Sequence, residues 1–124
     1  MCAEEIHGRD QAATALTLTR IIRARRLRGR YFPPELFADP AWDMLLASFE
    51  AELGQQRVTV TDLCISASVP GTTALRWLNE LVARGFLIRL ADPRDGRRVF
   101  VELVPAASLA LHRYFNDLGE AQVI

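Results

Sequence analysis

Apolar positions in this chain recur first at helical spacing, then in short β-prone and alternating runs, then at helical spacing again. Between residues 11 and 28, Leu18, Ile21 and Ile22 make a short apolar stripe on a segment otherwise rich in alanine and arginine. That pattern predicts a helix with Asp10 as N-cap and Gly29 as its stop. Residues 1–8 are expected to fray. Residues 30–40 read as a turn-rich connector in which Pro33 and Pro34 bar a regular helix. Asp39 as N-cap and Pro40 at the first helical position then open a second helix. Trp42, Leu45, Leu46, Phe49 and Leu53 keep helical spacing along it as far as Gly54.

A short β-prone run at residues 57–60 precedes a third helix, expected over 62–68, with Thr61 as cap and Leu63 buried together with Cys64 or Ala67. Val69-Pro70-Gly71 reads as a turn. The fourth helix is expected over 72–84 and stops at Gly85. Ala74, Leu78, Leu81 and Val82 fall on its core side; Thr72, Thr73, Arg76 and Glu80 fall on the other, with Leu75 and Trp77 on the flanks. Residues 86–91 and 98–104 are the two strands of a hairpin. A last helix, 105–118, carries Leu109, Leu111, Tyr114, Phe115 and Leu118.

A short helix, a tight turn and a second helix make a helix-turn-helix, in which the N-terminal residues of the second helix meet base edges in a major groove. Thr72, Thr73 and Arg76 have suitable chemistry, because threonine meets phosphates or thymine methyls and arginine forks onto guanine. An ordinary amphipathic helix with a solvated face has the same pattern. The hairpin that follows adds a cationic tip, Asp92-Pro93-Arg94-Asp95-Gly96-Arg97-Arg98, and hence a second point of contact with a duplex. The fold class expected is α+β, a winged helix-turn-helix with a β-hairpin wing and flanking N- and C-terminal helices. The 124 residues suit one small core. They divide into a basic helix and connector (1–38) expected to serve dimerisation, the winged helix-turn-helix (39–104) and a C-terminal helix (105–124).

Charge sharpens this picture only when read locally. The formal net charge is zero, yet residues 20–30 hold six arginines and no acid, and residues 71–100 hold six arginines against three acids. Between them, residues 31–70 carry six acids against Arg57 alone. A neutral sum thus conceals two basic regions. Every one of the fifteen cationic side chains is arginine; codon usage in a GC-rich genome produces the same bias. The run from Arg20 to Arg30 fits a solvated face of a dimerisation helix, added phosphate contacts, or an acidic partner or membrane surface; its weak apolar stripe argues against a membrane.

From about Asp43 to Leu103 the chain resembles the MarR family of winged-helix transcriptional regulators. The residues that carry the likeness are TDLCISASVP, LVARGFLIR and DPRDGRRVFVEL. Within the last of these, Asp95-Gly96-Arg97 precedes the alternating Val99, Val101 and Leu103. The resemblance implies a homodimer that binds double-stranded DNA, with Arg97 reaching into a minor groove and Asp95 orienting the wing. Arg94 and Arg98 would meet phosphates on either side. The operator, the regulated genes and any small-molecule effector are not legible.

Other function classes find less support. His7 stands in the terminal stretch and His112 among apolar residues, and Glu50 and Glu52 point to different sides of one helix. No Ser/His/Asp set, glycine-rich phosphate loop or HExxH motif stands out, so no enzyme, cofactor or metal is expected. The two cysteines, Cys2 and Cys64, make no disulfide framework or metal motif. Cys64 leaves room for a thiol-responsive regulator, although a small buried core residue is far the commoner explanation. A winged helix used only for protein interaction is the other alternative. With early acids and no apolar run of about 20 residues, the chain is expected to be cytoplasmic and to have neither signal peptide nor membrane span.

Overall fold

The computed structural model describes residues 3–33, 36 and 38–118, with residues 3–10 described by backbone alone. The elements in chain order are α1 (Ala3–Arg28), α2 (Pro40–Leu53), β1 (Val58–Thr59), α3 (Val60–Ser66), α4 (Gly71–Ala83), β2 (Leu87–Ala91), β3 (Val99–Leu103) and α5 (Pro105–Leu118). The strands form one antiparallel sheet in the order β1-β3-β2. Val58 sits opposite Val101, and Ala91 opposite Val99. Helices α3 and α4 with their turn, the β2–β3 hairpin, and the flanking α1 and α5 make this the expected α+β winged helix-turn-helix.

Helix α2 lies at the centre. Met44, Leu46, Ser48 and Phe49 are all buried, so the helix is covered on more than one side, and Met44 joins the core although the predicted stripe omitted it. Around α2 gather Leu18 and Ile21 of α1, Leu63 of α3, and Ala74, Leu78 and Leu81 of α4. The sheet adds Leu87, Val101 and Leu103, and α5 adds Ala107, Leu111 and Phe115. Tyr114 and Leu109, expected on the apolar side of α5, stay 39% and 49% exposed.

Several boundaries move for local reasons. Helix α1 starts at Ala3, so Asp10 lies within it and is no N-cap, and residues 3–8 are helical where fraying was expected. Alanine and glutamate just ahead of that point favour the extension. Cys2, Pro34 and the side chain of His7 lie outside the described residues. Asp39 occupies the N-cap position of α2 but makes no side-chain cap bond. Its carboxylate instead lies 3.8 Å from Arg25 Nη2. Thr59, not Thr61, caps α3: its Oγ1 accepts from the Asp62 amide at 3.1 Å, so Val60 is helical rather than β and the helix ends at Ser66. The backbone beyond Gly54 turns through the left-handed region at Gln55 (φ 55°), not at the glycine.

Arg25 joins α1 to α2. Its Nε donates to Asp43 Oδ1 at 2.7 Å, in a pair where both side chains are mostly covered. Burial pushes the Asp43 carboxyl above its ordinary value of 3.8, an effect that outweighs the hydrogen bond and charge of Arg25. A raised folded pKa means that the stabilising contribution is full below the ordinary value and is lost as pH rises through the folded one. Compared with Asp43→Asn, the native chain should therefore lose stability as pH climbs just above 3.8, whatever constant offset the weakened Arg25 contact adds. Urea midpoints for the two proteins across that range check this; parallel pH profiles would refute it.

Candidate nucleic-acid interface

The turn between α3 and α4 sets the direction of α4. Ser68 there is left-handed (φ 56°). Gly71 is not part of the turn but the first residue of α4, with Pro70 as its N-cap. Proline fits there because its fixed φ leads into the helix. Ala74, Leu78 and Leu81 are buried and Val82 packs beside them, which turns the opposite face outward. On that face Thr72 and Arg76 are exposed and Thr73 is half-buried. The two flank residues separate: Trp77 packs partly into the core, whereas Leu75 is 43% exposed. Glu80 is paired with Arg84 at 2.8 Å, which neutralises the acid on this face. Gly85 carries φ 82°, a value that favours glycine, and turns the chain into β2.

The wing tip is held by two aspartates. Asp92 Oδ1 accepts the Arg94 amide at 2.8 Å, and the Asp92 amide donates to the Arg98 carbonyl at 3.0 Å. Asp95 Oδ1 accepts the Arg97 amide at 3.1 Å and lies 3.6 Å from Arg97 Nε. The Arg97 side chain is 95% exposed. Arg98 is drawn back along the sheet: its Nη1 lies 3.8 Å from Asp92 Oδ2, and its guanidinium lies 5.6 Å from the Phe100 ring centre. Arg57 covers the same ring at 4.3 Å and pairs with Glu102 at 3.3 Å. Arg94 is exposed, with no side-chain partner among the described residues.

The predicted residues therefore do not form one patch. Asp95, Arg97 and Arg98 line a groove of about 630 Å³ whose other wall is the start of α3, Thr59 to Asp62. Thr72, Thr73, Arg76 and Arg94 do not line it. One side-chain bridge joins helix to wing: Arg89 on β2 donates through Nη2 to Asn79 Oδ1 on α4. Sequence reasoning missed both residues. The signal was present, because Arg89 shares strand parity with Leu87 and Ala91 and so points to the helix side of the sheet. From there its guanidinium can reach a polar side chain of α4. Cys64 is half-buried, and burial pushes its thiol up against the lowering charge of Arg89. Among the described residues no cluster of three or more His, Cys, Asp or Glu is placed to hold a metal, and no helix is long and apolar enough to cross a membrane.

The backbone superposes on solved structures. A cysteine-to-serine mutant of E. coli MarR complexed with operator DNA matches with a TM-score of 0.51 over 84% of this chain and 75% of that one, at 24% identity. S. aureus MepR in its DNA-binding conformation matches with a TM-score of 0.55 over 82% and 75%, at 19% identity. The fold is that of MarR and MepR. NadR in complex with 4-hydroxyphenylacetate also shares the MarR-type fold, with a TM-score of 0.54 over 82% of this chain and 64% of that one, at 20% identity. The chain spans 54% of the length of one matched MepR mutant from S. aureus. No protein-family model and no curated protein matches the sequence. The likeness read from residues 43–103 thus holds as a likeness of fold.

Proposed function

We propose that the chain is a sequence-specific DNA-binding regulator of transcription that acts as a homodimer, with α4 in a major groove and Arg97 in the adjoining minor groove. The observation that carries this reading is the bridged pair of patches, an outward face of Thr72, Thr73 and Arg76 on one side and the exposed Arg97 on the other. Threonine and arginine at a helix N-terminus suit base edges and phosphates. An exposed arginine at a hairpin tip suits a narrow, negative minor groove. Two proteins with this fold, MarR and MepR, are described with operator DNA and in a DNA-binding conformation. NadR, of the same fold, is described in complex with the small molecule 4-hydroxyphenylacetate, and we extend the reading to a small-molecule effector of this chain. Fluorescence anisotropy with the duplex upstream of its own gene, against random duplex at low salt, tests the reading. No binding to either would leave a protein-interaction module. The raised thiol of Cys64 speaks against a thiol switch, because the thiolate is the reactive form.

Arg76→Ala should cost about 1–3 kcal/mol and relax preference at one base pair per half-site. Selection from a randomised duplex library reads this directly. A uniform loss across all sequences would make Arg76 a phosphate contact instead.

Residues 1–38 and α5 are the elements to which we assign the dimer. Leu16 on α1 and Leu109 on α5 are each about half exposed, at 54% and 49%, and Tyr31 and Phe32 in the connector are 74% and 60% exposed. A second copy of the chain would cover such surface. Light scattering should give a mass of twice the chain, and half-sites should lie one turn apart, about 34–36 Å centre to centre. A monomer both with and without DNA would contradict the assignment.

A further inference from the structure

The arginine run of α1 has a destination that its helical periodicity does not show. Between the last turns of α1, the first turns of α2 and the turn after α3 lies a cavity of about 470 Å³. That volume is in the range of ligand clefts. Ile22, Leu46 and Ala47 line one part of it, Arg25, Arg26, Arg28 and Arg30 another, and Ser66 and Ser68 a third. Among the described residues Asp43 is the one acid on the lining, and it is bound to Arg25. Arg26 and Arg30 are exposed and make no ion pair or side-chain hydrogen bond among the described residues. Ser66 already donates to the Leu63 carbonyl at 2.6 Å, so Ser68 is the serine with a hydroxyl proton to offer. The negative end of the α1 dipole weakens the field here by about half a charge, less than the two charges of Arg26 and Arg30.

We propose that this cleft is an oxyanion site for a phosphate group, which the DNA backbone supplies just outside the helix-and-wing surface. Ser66 and Ser68 place it at the helix-turn-helix turn itself, beside the start of α4. A strand leaving the groove next to α4 passes arginines suited to forked phosphate contacts. The DNA source rests on the proposed function; the oxyanion chemistry does not.

The experiment uses the full chain and four arginines, three on α1 and Arg30 just beyond its end. With a random duplex of about 30 base pairs, each phosphate contact contributes roughly 0.9 to the slope of log affinity against log salt. The double variant Arg26→Ala/Arg30→Ala should reduce the slope by about 1.8, so that native protein loses roughly tenfold more affinity than the variant between about 50 and 200 mM salt. Arg20→Ala/Arg23→Ala removes the same charge from exposed positions outside the cleft, and should leave the slope unchanged. Equal effects of the two double variants would reduce the run to net charge and overturn the site. A second arm replaces chloride by inorganic phosphate at constant ionic strength and follows melting temperature. Stabilisation of native protein but not of Arg26→Ala/Arg30→Ala, with unchanged DNA slopes, would assign the site to a free oxyanion and exclude the DNA backbone. If native protein bound no duplex, the proposed function would fail while this second arm still decided the cleft. No difference in either arm overturns the proposal.

Discussion

Arg97→Ala should weaken duplex binding by about 2 kcal/mol, roughly thirtyfold, the cost of one charge-assisted contact made in a confined groove. The comparison that gives this number meaning is Arg94→Ala. Both residues are exposed arginines of one seven-residue loop, so Coulomb attraction alone would make them equal. Their anchoring differs. Arg97 has its own amide held by Asp95 Oδ1 at 3.1 Å, with Nε 3.6 Å from the same oxygen. The contact with Asp95 biases the approach of its side chain before DNA arrives, so less entropy is lost on binding. Arg94 is anchored only at its backbone, by Asp92. Arg94→Ala should chiefly lower the salt slope by about one unit. Asp95→Ala provides the sharper test. Removing an acid beside a polyanion should tighten binding on charge alone, yet the variant also loses the acceptor that shapes the tip, and net weakening is expected. Titrations of the three variants at two salt concentrations settle it. Tighter binding by Asp95→Ala, with Arg97→Ala equal to Arg94→Ala, would make the wing an unstructured electrostatic arm.

The contrast between Arg97 and Arg89 shows how far the sequence could be read. Arg97 was found because the tip gathers turn formers and cations that no core could absorb, a signal local in sequence. Arg89 was missed because its role depends on Asn79, ten residues away on another element. The place of Arg98 in the loop, taken alone, predicts a phosphate contact. In the fold it is engaged by Asp92 and lies over Phe100, a geometry set by strand register. The same division holds for the fold. Gly85 and Pro40 mark boundaries through their own backbone chemistry, and both sit where they were expected. Thr59 and Thr61 are both competent caps, and what favours Thr59 is the short β1–β3 pairing, which ends the strand at that residue. The cleft behind α1 is invisible in the sequence for the same reason, since its walls come from three separate segments, the end of α1, the start of α2 and the turn after α3.

Phe49→Ala should cost about 3–5 kcal/mol of stability, the largest loss expected from any single truncation here. Phe49 is fully buried on α2, in the middle of the protein, and two rings of α5 pack on it. Phe115 stacks at 5.7 Å between ring centres, and His112 meets it edge-on at 4.8 Å. Truncation would remove the transfer free energy of a large side chain and leave a cavity whose walls are themselves rings, which cannot easily collapse into it. Against a total stability of about 5–15 kcal/mol, that loss lowers the melting temperature by roughly 10–20 °C. Tyr114 supplies the control. It also lies on α5 and makes ring contacts, edge-on with Trp42 at 5.2 Å, but is 39% exposed, so part of its surface already faces water. Its truncation should cost less than half as much. Should Phe49→Ala prove too unstable to purify, Phe49→Leu keeps most of the volume and should lie between the native chain and the alanine variant, at about 1–2 kcal/mol. Chemical denaturation of these proteins orders them. A loss below about 1 kcal/mol for Phe49→Ala would mean that α5 does not depend on α2 for its position. The assignment of α5 to the dimer would then lack the rigid support that it requires.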